Sequence, residues 1–282
     1  MNATVPFQSS ERIFVIEPQR GWLDLALGEL WRFHDLLWIL AKRNIQIRYK
    51  QTLLGIGWAV IQPVTSMIIF SVIFGGFAKV PSDGLPYPVF AFAALVPWTY
   101  FASTFAAGST SVSDHGYLIT KVYFPRLILP LTPLLSGLLD FLIALCLLAA
   151  MMAWYGIVPT PAAAFIPLFV LLLMATSFTV SLWLSAMCAF FRDIKVLVPF
   201  LAQLWFFLTP IVYPTSIIPG PWRVFYALNP MTAVVEGFRW SLLGKAAPDG
   251  GLILASSALV AGALFFGLIF FRRMERSFVD VV

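Results

Sequence analysis

Residues 127–154 read LILPLTPLLSGLLDFLIALCLLAAMMAW, and Asp140 is the one charged side chain in the stretch. A bilayer's hydrocarbon core, about 30 Å thick, is crossed by roughly 20 helical residues at about 1.5 Å each. This stretch is long enough to cross. Working outward, comparable apolar runs occupy 53–78, 88–112, 164–190, 196–213 and 252–271. The run at 196–213 is the weakest, being short and interrupted by Pro199 and Pro210. The expected fold is an all-α polytopic membrane protein with six transmembrane helices. Composition agrees: 60% apolar residues and 11% charged, with a mean hydropathy of +0.90, values that exclude an ordinary water-soluble enzyme.

Basic residues give the runs an orientation. Fourteen of the 18 Lys and Arg residues fall before the first run, in the gaps around Lys121–Arg126 and Arg192–Lys195, or after the last run at Arg272, Arg273 and Arg276. The opposite gaps hold only Lys79, Arg223, Arg239 and Lys245. The positive-inside rule then places both termini in the cytoplasm. The net charge of +5 is ordinary for this layout, and the thinly spread basic residues do not form a nucleic-acid surface. The start of the chain has no cleavable signal pattern, so the first run is expected to serve as a retained export signal. Cys146 and Cys188 both sit inside apolar runs and read as small buried side chains.

The gaps carry more information than the runs. Residues 1–50 read as a cytoplasmic arm followed by an amphipathic helix, with apolar residues such as Trp31, Leu36 and Leu37 set among Glu29, Arg32 and Asp35. That helix either lies in the inner interface or packs on protein. Residues 51–282 are the membrane domain. The gap DHGYLITKVYFPR (114–126) is polar at its edges and apolar in its middle. Tyr117, Leu118, Val122, Tyr123 and Phe124, flanked by Arg126, form either a docking knob for a cytoplasmic partner or a turn dipping into the headgroups. The opposite gap, 214–251, is rich in apolar and aromatic residues, including Trp222, and is broken by Pro219, Gly220 and Pro221. Two short helices at 222–228 and 231–243 fit it, neither long enough to cross, so they are expected to be re-entrant or interfacial. Asn229 is a cap or turn residue between them, and Glu236 and Arg239 are spaced to pair on one helical face.

Within the runs, Asp140 needs a partner, water or a proton. Aromatic residues make up 16% of the chain and serve as interface anchors, packing groups or platforms for sugar rings. Gln62 and Gln203 mark polar faces. No catalytic arrangement is present: His34 and His115 lack ligand-spaced partners, and no HExxH or nucleophile elbow occurs. Gly244–Lys245 is not a phosphate loop, so uphill transport would draw its energy from a partner or an ion gradient.

Taken together, NIQIRYKQTLLGIGWAVIQP (44–63), KVYFPRLILP (121–130), FFRDI (190–194), FLTPIVYP (207–214), NPMTAVVEGFR (229–239) and the tail MERSFVDVV resemble the permease subunit of type-2 ABC polysaccharide exporters, the group that moves O-antigen, capsule or teichoic-acid chains. The resemblance covers about residues 30–282. It implies a homodimer in the bacterial inner membrane, joined by two copies of a separate ATPase that bind ATP and Mg, with no cofactor in this chain. The cargo it implies is an undecaprenyl-diphosphate-linked polysaccharide. By the same resemblance, 114–126 is a coupling helix and Arg43, Arg48 and Lys50 flank a lateral gate or contact the lipid pyrophosphate. Gln62, Phe70, Phe74, Gln203 and Phe207 would approach the translocation path. Trp222, Glu236 and Arg239 would belong to an external cap. A lipid or drug exporter of the same superfamily and a non-transporting scaffold for envelope-polymer synthesis are the competing readings.

Overall fold

The computed structural model describes residues 27–50, 55 and 57–278. The arm expected at 1–20 and the last residues of the tail motif lie outside them. The described residues are helical, with no strand among them. In order, the helices are α1 (Leu27–Arg32), α2 (His34–Lys50), α3 (Gly57–Phe70), α4 (Tyr87–Asp114), α5 (Gly116–Lys121), α6 (Ile128–Trp154), α7 (Ile166–Phe190), α8 (Arg192–Leu208), α9 (Arg223–Leu228), α10 (Pro230–Leu243) and α11 (Gly250–Glu275). The axis of α3 continues as a π-helix through Ser71–Phe77, where the Ala78 amide donates to the Ile73 carbonyl five residues back at 2.8 Å. Gly75 permits that wider turn to press on α4, since a Cβ there would fall 2.8 Å from the Tyr87 ring.

Among the described residues, five stretches are long and apolar enough to cross a membrane: Gly57–Phe77, Tyr87–Asp114, Ile128–Trp154, Pro161–Phe190 and Gly250–Glu275. The expected span at 196–213 takes a different form. Helix α8 has 17 residues, about 25 Å of rise, and ends at Leu208. Thr209 is extended (φ −106°, ψ 136°) because Pro210 disfavours helical geometry in the residue before it.

Helix α4 is the hub. In its most apolar window 78% of residues are buried, against 6% for Gly57–Phe77. It packs on α6, α7 and α10, and on α3 and α8 at its flanks. Trp98, Phe101 and Phe105 meet Trp205 and Phe206 of α8, with ring centroids 5.0–6.5 Å apart. Phe206 in turn stacks on Phe70 of α3 at 5.5 Å. Within apolar surroundings the Tyr100 hydroxyl donates to the Leu134 carbonyl at 2.9 Å, satisfying a group that would be costly to bury alone.

The alternation of charged gaps reappears as two distinct ends. At one end Lys195 meets Asp114 at 2.6 Å, and the Arg126 amide meets Glu275 at 3.1 Å. At the other, Asp83 meets Ser216 at 3.1 Å, and Thr160 donates to the Ser241 carbonyl at 3.2 Å. The first is called the α5 end and the second the α10 end.

Candidate functional site

The α5 end is built around a short helix held on one side and bare on the other. Tyr117 is 80% exposed, and Val122 and Tyr123 are also exposed. Phe124 is buried, and Leu118 is half-buried against a cluster containing Leu40, Leu129, Phe271 and Phe278. Arg126 anchors the segment to the end of α11: its backbone amide donates to Glu275 Oε1 and its Nη1 donates to the Glu275 carbonyl at 2.5 Å. Arg272 pairs with the same carboxylate at 3.1 Å. Burial, with Glu29 and Glu275 nearby, raises the pKa of the Tyr123 phenol, so it stays a neutral hydrogen-bond donor. Of the six residues expected to dock, three are therefore displayed while Leu118, Phe124 and Arg126 hold them in place.

The second region is a polar pocket among apolar helices. Arg48, at the last turn of α2, pairs with Asp140 of α6. The pair supplies the partner that a carboxylate in an apolar run requires. Burial lowers the pKa of the Arg48 guanidinium from its usual value. The other Asp140 oxygen, Oδ1, is buried without a hydrogen-bond partner among the described residues. Gln62, Trp58, Tyr100 and Ser103 complete a cavity of about 380 Å³. The sequence marked both Asp140 and Arg48 without joining them, because 92 residues separate them. Helix α2 packs on α6 through its Leu40 side while Trp38, Ile39 and Ile47 face outward, so it has apolar surface on both faces. Arg43 and Lys50 lie on its exposed surface and do not line the pocket.

The residues expected along a path divide in two. Phe70 and Phe74 are half-buried and pack against the main core, their ring centroids 5.8 Å apart. Gln203 and Phe207 are exposed on α8. Phe207 is one of a row with Val196, Phe200 and Leu204, and α3 with its π-helical continuation presents a second outward apolar row including Trp58, Ile61, Ile69 and Ile73.

At the α10 end, Asn229 is a structural junction. Its Oδ1 caps α10 by accepting from the Met231 amide at 3.0 Å, and also accepts from Trp205 Nε1 at 2.9 Å. Its Nδ2 donates to the Leu208 carbonyl at 3.1 Å and to Thr209 Oγ1 at 3.0 Å. One side chain thus closes α8 and opens α10, a role the sequence showed only as a cap. Arg239 is buried, with the Glu236 carboxylate acting on its charge, and it donates hydrogen bonds to backbone carbonyls. Its guanidinium lies 3.7 Å from the Phe90 ring centroid and donates to the carbonyls of Pro210 (2.7 Å) and Ile211 (2.6 Å). Those carbonyls lie just beyond α8, where the chain is no longer helical, and the arginine satisfies them. Glu236 also accepts from Thr215. Trp222 is exposed and stands next to Phe225, ring centroids 5.7 Å apart.

Among the described residues no cluster of His, Cys, Asp or Glu could hold a metal ion, and Cys146 and Cys188 are unpaired. The arrangement is one of surfaces and pockets. Residues 35–243 match the model of the ABC-2 type transporter membrane family. The chain belongs to that family. Among characterised proteins, it is 29% identical over 257 residues to the O-antigen export system permease protein RfbA of Myxococcus xanthus, covering 90% of this chain and 98% of the relative. It is 30% identical over 206 residues to the RfbA permease of Klebsiella pneumoniae, covering 73% and 79% of the two chains. The polysialic acid transport protein KpsM of Escherichia coli is 24% identical over 240 residues, covering 83% and 92%. This ABC-2 family member thus aligns with polysaccharide-export permeases through almost all of its helices.

Proposed function

We propose that this chain is the permease subunit of an ATP-driven exporter that moves an undecaprenyl-diphosphate-linked, O-antigen-like polysaccharide across the bacterial inner membrane. The observation that carries the reading is the near end-to-end alignment with the O-antigen permease of Myxococcus xanthus, 98% of whose length is matched. The geometry supports it. Tyr117, Val122 and Tyr123 form an exposed apolar knob on an anchored base, the kind of surface a protein partner covers. That partner is a separate ATPase in two copies, which binds ATP and Mg. Both termini and the α5 end face the cytoplasm, where most of the basic residues gather, and the α10 end faces outward. Helix α8 is the fifth of six spans, short because the irregular Thr209–Tyr213 segment completes its outer end. The outward apolar rows of α3 and α8 meet a second copy, placing Gln62, Gln203 and Phe207 beside a shared path. Arg48 is poised for the lipid pyrophosphate.

A lipid exporter is the second reading. It is favoured by a crevice of about 750 Å³ between α7, α8 and α11, lined by Val180, Trp183, Leu204 and Leu259 among other apolar groups. Inverted vesicles containing the permease and its ATPase separate the two. ATP-dependent loss of lipid-linked glycan from the outer medium supports the first reading. Movement of a fluorescent phospholipid with no glycan moved supports the second.

A further inference from the structure

At the α10 end a cavity of about 500 Å³ lies between the α3–α4 loop, the segment after α8, and the face of α10. Its size is that of a small-molecule site. Asp83 and Glu236 contribute carboxylates, Lys245 an ammonium, and Thr215 and Ser216 hydroxyls, while Phe90, Ile218 and Leu252 give it apolar patches. The walls are tied to each other: Ser216 donates to Asp83, and Lys245 donates to the Asp83 carbonyl.

Thr232 decides what the cavity takes. It lines the same space, is 3% exposed, and its Oγ1 has no hydrogen-bond partner among the described residues. Other buried threonines, such as Thr104, Thr132 and Thr176, donate to the carbonyl four residues earlier in their helices. Thr232 cannot, because it stands in the first turn of α10, where the chain bends at Asn229. A buried hydroxyl left unbonded is costly, and a ligand hydroxyl would relieve that cost. The carboxylates argue against an anion, since Arg239 and Lys245 both donate to backbone carbonyls, and the acidic residues do not form a metal site among the described residues. Carboxylate acceptors, hydroxyls able to act both ways and apolar patches together fit a neutral polyol with C–H faces.

We infer that this cavity is a saccharide subsite, holding one or two pyranose units of the glycan on its outward side, with Thr232 bonding a sugar hydroxyl. The inference rests on the polysaccharide-export reading. The test uses the permease–ATPase complex in lipid nanodiscs and saturation-transfer NMR with methyl glycosides of glucose, galactose, mannose, rhamnose and N-acetylglucosamine, with glycerol as the control polyol. The expected result is saturation of the ring protons of at least one glycoside and none of glycerol. Thr232→Val, which keeps the side chain's shape, should weaken the dissociation constant about fivefold with no loss of thermal stability, and Thr232→Ser should retain binding. No saturation from any glycoside, or equal affinity in Thr232→Val, overturns the subsite. Vesicle export run in parallel separates the two ideas: export without binding refutes the subsite alone, and binding without export refutes the export reading alone.

Discussion

A carboxylate inside an apolar helix must be compensated, and at Asp140 the compensation comes from Arg48, which also fastens α2 to α6. Both side chains are partly exposed, so the pair is expected to contribute about 1 kcal/mol or less. Asp140→Asn should therefore leave the fold intact but loosen α2, seen as faster proteolysis within 34–50. The charge swap Arg48→Asp with Asp140→Arg should restore protection; continued rapid cleavage in the swap would dissociate the pair from the docking of α2. Arg239 is a more demanding case, because several carbonyls depend on one buried guanidinium. Arg239→Met should destabilise the protein by about 3 kcal/mol, and Arg239→Lys should recover little, since an ammonium does not reproduce the planar fork. A melting temperature for Arg239→Lys equal to that of the parent protein would contradict this assignment. Asp140 was visible in the sequence as a lone charge in an apolar run, and Arg239 as a residue spaced to pair with Glu236. Their partners were not, since pairing across 92 and 149 residues depends on how helices pack, not on local spacing.

The displayed and anchoring residues of the 114–126 segment should fail in different ways. Replacing Tyr117, Val122 and Tyr123 together by Ser should abolish co-purification of the ATPase while leaving membrane insertion and thermal stability unchanged. Arg126→Ala removes the guanidinium bond to Glu275 and should lower stability by about 1–2 kcal/mol before it affects the partner. Full ATPase recovery with the triple variant would remove this segment from the interface. Most elements were legible from the sequence because their signals are local: apolar length set α4, α6, α7 and α11, and Asn229–Pro230 set the start of α10. Helix α8 was misjudged at its far end because residues 209–213 are as apolar as a helix but are bent by Pro210. Within 114–126 the apolar pattern located the element but could not separate Phe124, which is buried, from Tyr123, which is not.

For the whole molecule, the proposed meeting of the outward rows on α3 and α8 with a second copy can be tested directly. A cysteine at Phe200 in a variant lacking Cys146 and Cys188 should form an oxidant-dependent dimer in native membranes. Its absence, with a cysteine at Trp154 as control, would place α8 against lipid. Phe207→Ala should reduce glycan export with no change in stability, because the ring is 62% exposed. Phe70→Ala should lower both, because it opens the stack with Phe206. The 28 residues of α4 form a rod about 42 Å long. At one end it continues through His115 into the displayed knob. Near the other, Phe90 lies under Arg239 beside the sugar-sized cavity. Lys195 and Arg126 link the knob end to α8 and α11. On the proposed reading, a load applied at Tyr117 would bear on three helices at once, with α4 as the rod reaching from the knob to the α10 end. Pro97 removes one hydrogen-bonded rung within that rod.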